Sequence, residues 1–438
     1  MILLVHTSTS TGQLPLKLGR PEYSYRFVVN AFRPMLDELG IVIEVQNPEH
    51  EVDSIHASCQ RHGEPCVFLC FMPPNKTPID LACPTIPVFA WEYEALPDEA
   101  FGGKPRNDWR RVLTKLGAAI THSSYTVERV HAALGGHYPV DSIPAPLWDR
   151  MQALRGEPRE TAATLKIDGL LIDSRRTDLS AYTMHGLKAA LPAALPLPEG
   201  CRGPHDPVTL DGVLYTAIFN PGDGRKNWMD MVSAFCEALR DKANATLLLK
   251  LTHYDPDKLI PEILEIIHKA GPLACRILLV HAYLEEAQYN ALLQATTYAV
   301  NTSHGEGQCL PLMEYMSAGK PAVAPRHTSM RDYVDDECAF VIESSAELGT
   351  WPHDQRQAFR TLRQRIHYGS LVAAYRRSYH VAQNEPLTYR CMSQAARASL
   401  QRYCSVDVLR PRLERMIRRC TAPRTDTAKG CAAQDIHD

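Results

Sequence analysis

The hydrophobic pattern switches between two periods. Short apolar runs bounded by polar or turn-forming residues read as buried strands of a parallel sheet. They fall at 2–6, 41–45, 66–71, 86–90 and 118–122, and again at 213–219, 246–252, 277–280, 297–302, 322–324 and 338–342. Between many of them apolar residues recur every three or four positions. Phe27, Ala31, Met35 and Leu39 mark a helix over 25–39, and further helices are expected over 108–116, 126–134, 228–239 and 284–294, with a short one at 330–334. Strand and helix in alternation predict an α/β protein with parallel, doubly wound sheets.

The pattern breaks over 144–211, where Pro192, Pro196, Pro198, Pro204 and Pro207 crowd beside Gly200 and Gly203. Proline at this density continues neither a helix nor a central strand. The expected organisation is therefore a first domain at 1–145, a connection at 146–212 with a small strand near 169–173, and a second domain at 213–387. Terminal helices at 388–420 and a small, polar tail at 421–438, expected to be disordered, complete it. From about Trp351 the chain reads as helical and basic, with Arg356, Arg360, Arg363, Arg365, Arg376 and Arg377 among Leu362, Ile366, Leu371 and Tyr375. Arg410, Arg412, Arg415, Arg418 and Arg419 crowd the last helix. Such a helix can lie on an anionic membrane, although a solvated face is the commoner arrangement.

Composition narrows the class. A length of 438 residues suits two domains, and a net charge of −3 gives no pointer to nucleic acid. No apolar run reaches the roughly 18–20 residues that span a bilayer. Residues 1–5 lack a basic leader and a cleavage site, so they read as a first strand rather than a signal peptide. The 13 cysteines show no CxxC pair and no Cys-Cys…His-His zinc spacing. That favours reduced thiols in a cytosol over disulfides or structural zinc.

The candidate chemistry lies in 303–325, SHGEGQCLPLMEYMSAGKPAVAP. A strand ends at Thr302, and His304, Gly305, Glu306 and Gly307 form a tight polar loop. Pro311 fits the first turn of a helix whose apolar face is Leu310, Met313 and Met316, and Gly319 ends it. A helix start offers unpaired N–H groups and partial positive charge, which suits a phosphate. Glu306 and Glu314 can accept hydrogen bonds from hydroxyls on either side of it, the requirement of a sugar nucleotide. A second loop, 220–228, is rich in turn formers and ends in Arg225 and Lys226 at a helix start, where two cations can neutralise a diphosphate.

The Glu-x7-Glu pattern of Glu306 and Glu314, with Gly307, Leu310, Pro311, 316–319 and Pro321, resembles the signature of the retaining GT-B glycosyltransferases, most closely family 4. The departure is Gln308-Cys309, where the family usually has Phe-Gly. The resemblance implies a GT-B fold, two Rossmann-like domains facing each other across a cleft, with a last helix that crosses back to the first domain. It implies that Glu306 faces the donor sugar, that Gly307, Gln308, Cys309 and Leu310 hold sugar and phosphate, and that Glu314 binds the ribose. Lys226 lies where the family places a phosphate-binding Lys. The family's Arg position falls near Asn220, with Arg225 as a substitute. His304 belongs to the donor loop, and 281–284, with Tyr283, resembles the segment that faces the nucleobase. Thr11 and Gly12 resemble the first-strand loop near acceptor and phosphates. Glu92 follows a strand at a point where it could take a proton from an acceptor hydroxyl, or bind sugar hydroxyls while Trp91 stacks.

The implied reaction moves a sugar from a GDP- or UDP-sugar to a hydroxyl of a glycan or glycolipid with retention. The resemblance fits polysaccharide or lipopolysaccharide synthesis in the bacterial cytoplasm, in peripheral contact with the inner membrane. Asp255-Pro256-Asp257 reads as a solvated turn rather than a metal site, so no metal or cofactor is expected. A sugar-nucleotide epimerase or hydrolase on the same scaffold, and a non-catalytic sugar-binding protein, remain as alternatives.

Overall fold

A computed structural model describes residues 1–9, 19, 23–155, 163–182, 197–352 and 354–422. The first part alternates β1 (Ile2–His6), α1 (Tyr23–Leu39), β2 (Ile41–Glu44), α2 (Pro48–Arg61), β3 (Cys66–Cys70), β4 (Thr85–Phe89), α3 (Trp109–Leu116), β5 (Ala119–Thr121), α4 (Ser124–Leu134) and β6 (Val140–Ser142). Its strands pair in parallel in the order β2-β1-β3-β4-β5-β6. β3 and β4 are buried along their whole length, which is why they read as unbroken apolar runs. The helix ends follow local chemistry. Asp108 accepts from the Arg110 amide and Ser123 from the Thr126 amide, and Gly117 closes α3 at φ 77°.

Next come β7 (Ala163–Leu165), β8 (Asp168–Asp173), β9 (Arg202–Pro204) and β10 (Val208–Leu210). The second α/β unit runs β11 (Val213–Phe219), α5 (Trp228–Leu239), β12 (Ala245–Leu251), α6 (Ile260–Ala270), β13 (Arg276–His281), α7 (Glu286–Ala295), β14 (Tyr298–Val300), α8 (Leu310–Ser317), β15 (Ala322–Pro325) and β16 (Ala339–Ile342). Its sheet has the order β16-β15-β14-β11-β12-β13-β8-β9. All of its pairs are parallel except the last two, where β8 and β9 run antiparallel at the edge. The proline-rich connection thus adds two strands to the second sheet, while β7 and β10 pair only with each other.

The expectation of helix from Trp351 onward is corrected. β17 (Ser344–Thr350) and β18 (Phe359–Ile366) form an antiparallel hairpin, and helix resumes only with α9 (Tyr368–Asn384), α10 (Pro386–Cys404) and α11 (Val406–Thr421). Arg363 pairs across the hairpin with Glu347 at 2.8 Å, a contact between strands and not along a helix face. α2 and β6 were not expected. The short helix at 330–334 is a 3-10 turn, Thr328–Asp332. Residues 423–438 of the expected tail lie outside the described residues.

The two halves share a core. Leu3, Val5, Phe32 and Leu36 of the first half cluster with Leu312 and Met313 of α8, Leu400 of α10, and Leu409, Leu413 and Ile417 of α11. α11 packs on α1 and β3, with an Arg410–Glu38 ion pair at 2.6 Å. Among the described residues no helix is long and apolar enough to cross a membrane.

Candidate active site

In the second sheet the strand order reverses between β11 and β14. Open α/β sheets bind ligands at the carboxyl ends of strands at such a point. The loops leaving these two strands, 220–227 and 301–309, carry the residues singled out by sequence. Asp223 caps a 3-10 turn by accepting from the Arg225 amide at 3.1 Å, and the Thr302 hydroxyl donates to the carbonyls of Lys226 and Asn227 at 3.2 and 3.1 Å. The two cations are therefore held on a fixed turn.

Glu306 is 3% exposed and accepts from four groups. Lys226 Nζ (2.7 Å), Ser303 Oγ (2.6 Å) and Asn301 Nδ2 (3.0 Å) donate to Oε1, and Arg225 Nη1 (3.0 Å) donates to Oε2. The Glu306 amide donates to Thr328 Oγ1 at 2.9 Å. Burial alone would raise the carboxyl pKa, but Lys226 and Arg225 override it and hold the group well below the usual carboxylate range.

Arg225 is the hub. Its Nε faces Glu92 at 3.2 Å, Nη2 faces Asp223 at 3.0 Å, and Nη1 bonds the Gly305 carbonyl as well as Glu306. Glu92 is pushed up by burial, an effect that Arg225 only partly offsets. Glu92 thus comes from the first domain into a charge cluster otherwise built by the second. Trp91 does not reach a sugar: it is 3% exposed, packs against Tyr93 and Trp109, and donates to the Ala95 carbonyl. The reading of Trp91 as a stacking platform is corrected on that ground.

Eight residues along from Glu306, Glu314 lies inside α8 and accepts from the Tyr289 hydroxyl of α7. Burial pushes both groups up, Tyr289 strongly. Cys309 stands before α8 at φ 64°, in the left-handed region where the family signature has Gly, and Asn301 donates to its sulfur at 3.1 Å. Burial raises its thiol to about 12. Gln308 is directed to the first domain: its Oε1 accepts from the Ala145 amide at 2.5 Å. Gly307 lets the loop abut the first domain, for a Cβ there would stand 2.6 Å from that of Ala90. Leu310 opens α8. His304 Nδ1 meets the Gln364 carbonyl of β18 at 2.8 Å. Asn220 donates to the Gly19 carbonyl at 3.1 Å, while Tyr283 is 37% exposed and neighbours Tyr23. Thr11 and Gly12 lie outside the described residues. Asp257 and Asp255 pair with Arg202 and Lys258 respectively.

Sequence reasoning missed Asp223, Asn301, Ser303, Tyr289 and His327. Asp223 had a signal, two residues from Arg225 in a turn. His327 is 7% exposed, has no partner for Nε2, and has its pKa lowered by burial to about 4. Nothing in its local sequence distinguishes it.

Residues 213–350, under a third of the chain, match a family model described as "Glycosyl transferases group 1". No match is found among curated proteins. Among solved structures the chain is similar to Anabaena Alr3699/HepE in complex with UDP and glucose, at 12% identity, TM-score 0.51, over 95% of this chain and 98% of that one. It is also similar to sucrose-phosphate synthase from Thermosynechococcus elongatus, at 13% identity and TM-score 0.53, over 96% and 98%. It spans only 60% of the pneumococcal O-GlcNAc transferase GtfA, with 84% of this chain aligned at 14% identity and TM-score 0.47. The fold is GT-B, two Rossmann-like domains.

Proposed function

We propose that the chain is a retaining glycosyltransferase that moves a sugar from a nucleoside-diphosphate donor, GDP- or UDP-linked, to a hydroxyl of a glycan or glycolipid. The observation that carries this reading is the buried Glu306 held by Lys226 and Arg225 beside the start of α8, within the matched group 1 domain.

Departure of a diphosphate needs positive charge where negative charge grows, and a stabilised oxocarbenium-like sugar. Lys226 spends one N–H on Glu306 and has others to offer, whereas the planar fork of Arg225 is nearly filled by Glu92, Asp223, Glu306 and Gly305. Lys226 is therefore the phosphate-binding cation, together with the amides at the start of α8, and Arg225 is a positioning residue. Glu306, kept ionised, orients the sugar and stabilises its developing charge. Glu314, beside Tyr289, binds the ribose. Glu92, made more basic by burial, takes the proton of the acceptor hydroxyl.

Lys226 supplies the countercharge that a divalent cation supplies elsewhere, so turnover is expected neither to need nor to gain from Mn²⁺ or Mg²⁺. The setting is bacterial polysaccharide or lipopolysaccharide synthesis at the cytoplasmic face of the inner membrane.

Because HepE was captured with UDP and glucose, UDP-sugars are the first donors to test. A thermal-shift panel of UDP-, GDP- and ADP-sugars should identify one that stabilises the chain. That donor should then be consumed with transfer to an added glycan. Consumption without an acceptor would indicate a hydrolase or epimerase. Binding without turnover under all conditions would leave a sugar-binding protein.

A further inference from the structure

At the opposite end of the first sheet from the loops described above, the strand starts surround an open cavity of about 710 Å³, lined in part by His56, Cys66, Cys83, Lys115 and Cys420. Cys66 opens β3, Cys83 lies just before β4, and His56 projects from α2. One ligand atom from each of His56, Cys66 and Cys83 lies within 4.8 Å of the other two, and the two sulfurs are 4.0 Å apart. All three residues are buried. In a tetrahedral zinc site, metal–sulfur bonds of about 2.3 Å and metal–nitrogen bonds of about 2.0 Å put neighbouring ligand atoms roughly 3.5–3.8 Å apart. The cluster is already close to that size.

The imidazole itself supplies a second observation. His56 is 8% exposed, and its Nδ1 has no hydrogen-bond partner. The Cys66 thiol lies within hydrogen-bonding reach of the same imidazole, as a shared ligand set requires. The ring Nε2 meets the Gln60 side chain at 3.0 Å. As placed, the Gln60 amide nitrogen donates to Nε2; metal binding at Nδ1 requires the amide to turn so that its oxygen accepts from Nε2–H, which then fixes the metal-binding tautomer. The ligand carriers are also held together in advance. Asp53 of α2 accepts from the amides of Ala82 and Cys83 at 2.9 and 3.1 Å.

We propose that His56, Cys66 and Cys83 bind a zinc ion, structural rather than catalytic, that staples α2 to the starts of β3 and β4. The fourth position opens toward the cavity and toward Cys59, one turn along α2, whose thiol neighbours that of Cys66. Thiolate and imidazole ligands select zinc over magnesium or calcium. On binding, Cys66 and Cys83 each release a proton to solvent. Two thiolates and a neutral imidazole then balance the dication, as a buried site requires.

The test uses the full chain, reconstituted with Zn²⁺, freed of loose metal and assayed for bound zinc. About one zinc ion per chain is expected, and at least tenfold weaker retention in Cys66→Ser and in Cys83→Ser. Wild-type chain loaded with Co²⁺ should show sulfur-to-cobalt charge-transfer absorption. In the same wild-type chain, zinc should shield Cys66 and Cys83 from alkylation while the exposed Cys391 reacts with or without metal. These two readouts hold even if the serine variants fold poorly. No retained zinc in the wild type, undiminished zinc in both variants, or alkylation of Cys66 and Cys83 indifferent to zinc would each overturn the proposal.

Discussion

At the residue scale, Glu306 concentrates the electrostatics of the site. Its pKa in the folded chain lies below that in the unfolded chain, so it adds stability that is complete above the ordinary carboxylate range and is lost as pH falls below it. Glu306→Gln leaves Lys226 without its carboxylate partner, while Arg225 keeps Glu92 and Asp223, and should cost about 3 kcal/mol at neutral pH. The gap in unfolding free energy between wild type and variant should shrink as pH falls through the carboxylate range; a gap independent of pH would mean that the ion cluster does not stabilise the fold. Cys309 makes an opposite prediction. Its left-handed backbone suits Gly, so Cys309→Gly should raise stability by roughly 0.5–1 kcal/mol in denaturant unfolding. A loss would show that the contact between its sulfur and Asn301 outweighs the strain. Glu306, Glu314 and Lys226 were legible because their spacing sits inside a strand-loop-helix pattern. The saturation of Arg225 was not, because Glu92, Asp223 and Glu306 come from three separate segments. The His56–Cys66–Cys83 cluster escaped for the same reason: no short spacing joins a helix residue to two strand starts.

Among the elements, parallel strands were read well because burial on both faces leaves unbroken apolar runs. The β17–β18 hairpin was misread because Leu362 and Ile366 stand four apart, a spacing that fits both a helix turn and every second strand position. What decides for strand is the partner at Ser344–Thr350, which local periodicity does not reveal. The hairpin matters because it reaches the first domain. The Leu362 carbonyl accepts from the Glu94 amide at 3.3 Å, and Trp351, fully buried, stacks near Phe101 and donates to the Ala95 carbonyl at 3.1 Å. Trp351→Ala should therefore cost about 3–5 kcal/mol in equilibrium denaturation. A cost below about 1 kcal/mol would show that the hairpin is a loose appendage.

For the whole molecule, the site is assembled by the approach of the two domains. Gly305 and Gly307 face residues 90–92, Gln308 bonds Ala145, and Asn220 bonds Gly19. Such contacts join positions far apart in the chain, so the alternation of elements announced two domains without saying how they meet. Gly307→Ala would force a Cβ to within 2.6 Å of Ala90 and should lower turnover by spreading the loop from Glu92. Unchanged turnover would mean that the domains need not approach this closely during reaction. The central claim is that Lys226 meets the charge released on the diphosphate. Its most direct test is the single-turnover rate of sugar transfer at saturating donor, for wild type and Lys226→Ala. Loss of a contact worth roughly 2–4 kcal/mol in the transition state predicts a rate about a hundredfold lower, with donor affinity changed much less. A variant rate within about threefold of wild type, under 1 kcal/mol, would contradict the account.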